Sequence, residues 1–160
     1  MSTIIFIKPA NYNQSLVGEQ LVSILDKSVY VDGRWCCYST PRIDDELSLT
    51  ITQDSLIHMI TNFMLARRYE HIIVSYPYED DELIFELLRH LQTGNRQVTI
   101  FHFTDTSALA GIDNMELLNS EYESEYLMLD NGEMVKLSYV DTTDMSAFKI
   151  AKVLEAVILR

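Results

Sequence analysis

Polar residues that could bind a ligand or take part in catalysis lie between the first apolar run of the chain and its first amphipathic segment. The run is TIIFI, residues 3–7, and the polar residues after it are Lys8, Asn11, Asn13, Gln14 and Ser15. A lysine can neutralise an anion, an amide can donate hydrogen bonds to it, and a serine hydroxyl can bind a metal ion. A loop between a buried strand and a helix is where α/β proteins bind phosphate groups, so this stretch is a candidate nucleotide-binding loop.

The stretch KPANYNQS, residues 8–15, retains little of the phosphate-loop pattern GxxxxGK[ST]. Glycines in that pattern let backbone N–H groups face the phosphates, the lysine neutralises them, and the hydroxyl holds Mg²⁺. Here Lys8 and Asn13 replace the two glycines, and Gln14 replaces the lysine. Only Ser15 matches, and serine is also common at the start of helices. The sequence therefore predicts a degenerate loop.

A second set of residues lies at or near the ends of later apolar runs. These residues are Asp32, Arg34, Trp35, Tyr76, Tyr78 and His102. Ligands of parallel sheets bind beyond the carboxyl ends of the strands, so the set is a candidate pocket for an acceptor molecule. The aromatic members could instead anchor a protein partner or cap the core, and a single histidine is more often structural than catalytic.

Strand and helix patterns alternate along the chain. Short β-branched runs indicate buried strands, and apolar residues at helical spacing indicate helices between them. Asp130-Asn131-Gly132 predicts a hairpin turn. The predicted strands cover 3–7, 28–33, 71–77 and 97–103, and the predicted helices 15–26, 50–68, 80–92 and 145–159. We expect one domain, residues 1–160, with helices on both faces of a mostly parallel sheet of about five strands and a hairpin before the last helix.

Several segments in order resemble the small P-loop kinases that act on nucleotides and other small molecules. VYVDGRWC, residues 29–36, is similar to the family's second strand and its DG-W segment near the acceptor, although Arg34 departs from it. NFMLARRYEHIIVSYP, residues 62–77, looks like the helix and third strand of the family. VDTTDMSAFKIAKVLEAVI, residues 140–158, is similar to its closing segment. The resemblance implies a P-loop kinase-like fold.

The expected lid region lacks the arginines that such kinases use to clamp transferring phosphates. No lysine or arginine occurs from residue 97 to 135. The same stretch carries eight acids: Asp105, Asp113, Glu116, Glu121, Glu123, Glu125, Asp130 and Glu133. Phosphoryl transfer depends on positive charge around the moving group. The leading prediction is therefore a catalytically degenerate relative that acts as a binding or regulatory protein.

Two alternatives remain open at the sequence level. An atypical kinase could use Lys8, Arg34, Arg42, Arg67 or Arg68 in place of the missing cations, and Mg-ATP would then be its cofactor. Alternatively, residues 104–135, acidic and dotted with tyrosines, could be an interaction module for a protein with a basic surface. A small-molecule ligand in the cleft at the strand ends is compatible with either.

The overall charge excludes some classes of binding partner. Twelve basic and 24 acidic residues give a formal net charge of −12, which repels nucleic acids and anionic membranes. Neither a signal peptide nor a membrane-spanning run is recognisable, so we expect a cytoplasmic protein. The acidic run at residues 79–82 predicts a helix N-terminus rather than a metal site, and no metal is expected.

Overall fold

The structure is a computed structural model that describes residues 2–8, 14–37, 45–104 and 122–159. The strands are β1 Thr3–Lys8, β2 Ser28–Asp32, β3 His71–Ser75, β4 Gln97–Thr104, β5 Tyr122–Met128 and β6 Met134–Asp141. The helices are α1 Gln14–Ile24, α2 Glu46–Ala66, α3 Asp81–His90 and α4 Ala147–Ile158, and a 3-10 helix covers Gly33–Trp35. No helix in the described ranges is long and apolar enough to cross a membrane.

The six strands form one sheet in the order β2-β3-β1-β4-β6-β5. All neighbours are parallel except β5 and β6, which are antiparallel. The predicted α/β class and mostly parallel sheet are therefore confirmed. The predicted hairpin is part of the main sheet. Its strand β6 is the fifth parallel strand, and its strand β5 adds a sixth, antiparallel strand at the edge.

Two apolar clusters sandwich the sheet, because successive side chains of a strand point to opposite faces. Ile4 and Phe6 of β1 pack with α2 and α3, whereas Ile5 and Ile7 pack with α1 and α4. Every residue of β1 is buried, as expected for a central strand covered on both faces. The alternation also decides where polar side chains at the strand ends point.

The hairpin turn follows the predicted chemistry. Gly132 has a φ of +82°, a left-handed conformation that glycine adopts without a steric penalty. Its N–H donates to the carbonyl of Leu129 at 2.9 Å, and the Asn131 side chain accepts from the N–H of Glu133 at 3.1 Å. These bonds fix the register in which β5 pairs with β6.

Candidate functional site

Lys8, the lysine of the candidate loop, is buried and already paired. As the last residue of β1 it follows Phe6 in the alternation and therefore points towards the α2 and α3 face, away from α1. Only 4% of the residue is exposed. Its Nζ donates to Asp81 Oδ1 at 2.5 Å and to the carbonyl oxygen of Glu79. Asp81 reaches it from the first turn of α3.

His102 and Tyr139 extend this cluster across the sheet. Lys8 lies beside His102 in the register of β1 and β4, and His102 lies beside Tyr139 in that of β4 and β6. The His102 ring stacks on Tyr139 with a centroid distance of 5.0 Å. Tyr139 donates its hydroxyl to Glu125 Oε1 at 3.0 Å. We call the connected side chains Lys8, Asp81, His102, Tyr139 and Glu125 the lysine cluster.

The lysine cluster disfavours a charged His102 ring. Its Nε2 atom is buried and lies 3.2 Å from Asp81 Oδ2, close enough for an ion pair but without the angle of a hydrogen bond. Burial lowers the pKa of His102, the Asp81 carboxylate partly opposes that shift, and the positive charge of Lys8 reinforces it. Desolvation of the Tyr139 hydroxyl, together with the adjacent Glu125 carboxylate, raises the pKa of Tyr139.

A second group lies at the carboxyl ends of β2 and β3 on the opposite face of the sheet. Ser15 of α1 donates its hydroxyl to Asp32 Oδ2, and Arg34 Nη2 donates to Ser15 Oγ. Arg34 also donates to both oxygens of the Asp32 carboxylate, from Nη2 to Oδ2 at 2.9 Å and from Nε to Oδ1 at 3.1 Å. Nearby, the hydroxyls of Tyr30 and Ser75 are 2.9 Å apart. We call Ser15, Asp32 and Arg34 the arginine cluster.

Asp32 remains ionised in this environment. Burial favours a higher pKa for its carboxyl, but hydrogen bonds from Arg34 and Ser15 outweigh the burial and lower the pKa below its ordinary value. The side chain of Asp32 is only 9% exposed, whereas that of Arg34 is 43% exposed. The cluster therefore holds an ionised carboxylate with its own counter-ion at the carboxyl edge of the sheet.

The aromatic candidates do not share one environment. Tyr76 is completely buried and donates its hydroxyl to Gln53 Oε1 at 3.0 Å, so it belongs to the core under α2. Tyr78 is partly buried and packs edge-on against Tyr76 at 5.7 Å. Trp35 is 68% exposed and follows Arg34 directly. Of the three, Trp35 is the one displayed at the surface.

Some of the predicted residues cannot be placed at the site. Asn11, Asn13 and Arg42 lie outside the described residues, and Gln14 is the first residue of α1. Arg67 and Arg68 immediately precede β3, so they lie at the amino edge of the parallel sheet. The suggestion that these two arginines reach the predicted cleft was wrong, because a cleft beyond the strand ends would lie at the carboxyl edge.

Sequence reasoning did not include Asp81 and Tyr139 in the site. Asp81 belongs to the acidic run that the sequence assigns to a helix N-terminus. Asp80 does cap α3 by accepting from the N–H of Glu82 at 3.0 Å. Asp81, in the first turn of the helix, also forms the ion pair with Lys8. Among the described residues, no group of three or more His, Cys, Asp or Glu side chains could bind a metal ion.

Several solved structures have a fold similar to that of this chain over nearly its whole length. The tunicamycin resistance protein of Deinococcus radiodurans matches over 99% of this chain and 96% of its own, with a TM-score of 0.57 and 12% identity. A candidate kinase from Chloroflexus aurantiacus matches over 99% and 96%, with a TM-score of 0.59 and 12% identity. This chain shares the α/β fold of these two proteins.

A third structure, that of the protein APE1195, covers 99% of this chain and 95% of its own with a TM-score of 0.59 and 10% identity. No protein-family model matches the sequence, and no curated protein matches it. At 10–12% identity the similarity extends to the fold alone, and the chemistry of this chain depends on the residues of the lysine cluster and the arginine cluster.

Proposed function

We propose that this chain is a P-loop kinase-like protein without phosphotransferase activity that acts by binding, as a small-molecule-binding or regulatory protein. The observation that carries the proposal is the placement of Lys8. It is the only lysine of the candidate loop, and its ammonium group is buried and neutralised by Asp81. A cation engaged in this way is not free to hold a nucleotide phosphate.

Phosphoryl transfer needs positive charge in the loop, because the transferred group carries negative charge on its oxygens. In this chain glutamine occupies the position that the loop pattern gives to lysine. Lys8 cannot replace it without leaving Asp81 and turning from the α3 face towards α1. That movement would separate the ion pair and bring a buried ammonium group out of the position in which Asp81 and the Glu79 carbonyl oxygen hold it.

Charge elsewhere supports the same conclusion. The stretch from 97 to 135, where related kinases carry lid arginines, has no basic residue and eight acidic ones. Arg34 is the cation nearest to Ser15 among the described residues, and it is committed to Asp32 and Ser15. A polyphosphate would therefore meet carboxylates and an already neutralised guanidinium.

The test measures binding and turnover separately. The purified protein is titrated with Mg-ATP, Mg-GTP and inorganic phosphate, following heat and the fluorescence of Trp35, the single tryptophan. Hydrolysis of both nucleotides is assayed on the same samples. We expect no turnover above that of buffer, and no effect of Ser15→Ala on any residual rate. Turnover that Ser15→Ala abolishes would contradict the proposal.

Lysine variants distinguish the proposal from an atypical kinase. Under that alternative, Lys8→Met lowers nucleotide affinity, whereas Lys27→Met does not. Lys27 is a matched control because it also pairs with a carboxylate, Glu70 at 2.5 Å, but at the opposite edge of the sheet. Under our proposal the two variants have the same nucleotide titration as the native protein. Cooperative unfolding of each variant confirms that it is folded before it is compared.

A second candidate function is protein binding by the hairpin. β5 is an edge strand with Tyr126 64% and Met128 65% exposed, and Glu125 and Asp130 lie nearby. Exposed aromatic and methionine side chains among acids suit a partner with a basic surface. A titration with a short poly-lysine peptide tests this charge preference, and we expect binding that weakens steeply as salt is raised. Binding that is absent, or unchanged by salt, would count against it.

A further inference from the structure

We infer that Arg34 is an internal cation that takes the place of a divalent metal ion between Ser15 and Asp32. The P-loop kinase-like fold implies Mg²⁺ at the serine hydroxyl that begins the first helix. Asp32 adds a carboxylate, the type of oxygen ligand that Mg²⁺ prefers. The residues do not fit the metal, however, because one guanidinium nitrogen contacts both the hydroxyl and the carboxylate.

The acceptor capacity of Asp32 is used up within the chain. An ionised carboxylate has two oxygens with about four lone-pair sites. Oδ1 accepts from the backbone N–H of Arg34 at 3.0 Å and from its Nε at 3.1 Å. Oδ2 accepts from the Ser15 hydroxyl and from Arg34 Nη2. All four sites are taken, so a metal ion could bind only by displacing the guanidinium.

The backbone holds Arg34 in this position. Asp32 caps the 3-10 helix that contains Arg34 by accepting its N–H. Gly33, between them, packs so closely that an added Cβ would lie 2.8 Å from the Ser75 carbonyl oxygen and from Pro77. Because the turn is fixed against β3, the guanidinium is preorganised beside the carboxylate. A dissolved metal ion competes with a cation that is permanently attached.

This inference rests on the proposed function in one respect: a site closed to Mg²⁺ fits a protein that does not transfer phosphate. Its own prediction is different and concerns metal binding. Arg34→Ala should expose Ser15 and Asp32 as a new site for a divalent cation. The native chain should have no such site at these two residues.

The experiment is a titration with Mn²⁺, used as a spectroscopic probe for Mg²⁺, followed by electron paramagnetic resonance. The proteins are the native chain, Arg34→Ala, Asp32→Asn, the double variant with Arg34→Ala and Asp32→Asn, and Arg89→Ala. Arg89→Ala is the matched control, because Arg89 also pairs with a carboxylate, Glu82 at 2.9 Å, and its loss changes the net charge equally. ATP hydrolysis is measured on the same samples.

We expect Arg34→Ala to bind one Mn²⁺ at least about tenfold more tightly than the native chain or Arg89→Ala, and the double variant to lose that gain. Equal binding by Arg34→Ala and Arg89→Ala would overturn the inference. So would a native site that Asp32→Asn removes. If Arg34→Ala does not fold, Arg34→Gln takes its place. A native metal site without ATP turnover would overturn the inference alone, whereas turnover without such a site would overturn the proposed function alone.

Discussion

Replacing Asp81 with asparagine should destabilise the protein more than replacing its partner Lys8 with methionine. The two side chains form one ion pair at 2.5 Å, but their exposure differs, at 5% for Lys8 and 30% for Asp81. Asp81→Asn leaves an ammonium group buried beside a neutral amide. Lys8→Met leaves a carboxylate that water already reaches, and it keeps an apolar side chain in a buried position.

The size of the effect follows from this asymmetry. Removing one partner of a fully buried pair costs about 3–5 kcal/mol, whereas an exposed pair is worth about 0–1 kcal/mol. Since Asp81 is partly exposed, we expect Asp81→Asn to cost about 2–3 kcal/mol, which lowers the midpoint of thermal unfolding by roughly 4–12 °C in a chain of this size. Lys8→Met should cost less than about 1 kcal/mol.

Urea denaturation of the two single variants and the double variant measures these costs. The double variant should be more stable than Asp81→Asn alone, because no charge is then left buried without a partner. Glu82→Gln is the control, since it removes a carboxylate from the same first turn of α3 without touching Lys8. If Lys8→Met costs more than Asp81→Asn, or if the double variant is the least stable of the three, Lys8 is not held as we describe.

Three further changes test the packing and the titrating groups. Gly18→Ala should cost about 1–3 kcal/mol in urea denaturation, because its Cβ would lie 2.2 Å from a ring carbon of Tyr30; a neutral result would show that the ring moves freely. Gly132→Ala should cost about 1 kcal/mol because φ there is +82°, and an unchanged midpoint would argue against this turn. Burial lowers the pKa values of His71 and His102 in the folded state, so these histidines are protonated at a higher pH in the unfolded chain than in the folded one. The free energy of unfolding should therefore fall as the pH drops below about 6.5. His102→Gln should make that slope shallower, and an unaltered slope would assign it to other groups.

The sequence predicts the elements well because their signals are local. Apolar runs such as TIIFI and helical spacing such as that of Leu56 and Ile60 do not depend on distant residues. Strand order is different: β1 pairs with β3 and β4, whose residues are far away in the chain. The residues alone also gave no sign that the second hairpin strand would pair in parallel with β4.

The order of the elements also bears on the candidate site, although the sequence analysis assigned Ser15 to the loop and Asp32 and Arg34 to a separate acceptor pocket. Ser15, Asp32 and Arg34 meet because parallel strands and the helix after β1 converge at one edge, which the alternation of elements implies. The pairing of Lys8 with Asp81 depends on which face of β1 the lysine occupies. In a strand that is apolar on both faces, the sequence pattern does not reveal that face.

The central position of β1 has a consequence for the order in which the chain is synthesised. Thr3–Lys8 is synthesised before β3 and β4, yet it pairs with both, and β4 ends only at Thr104. Until β4 has been synthesised, a short strand that is buried on both faces in the final structure has an unpaired edge. Such edges promote association between nascent chains, so this protein should depend on chaperones during translation more than a fold that pairs neighbouring segments in sequence.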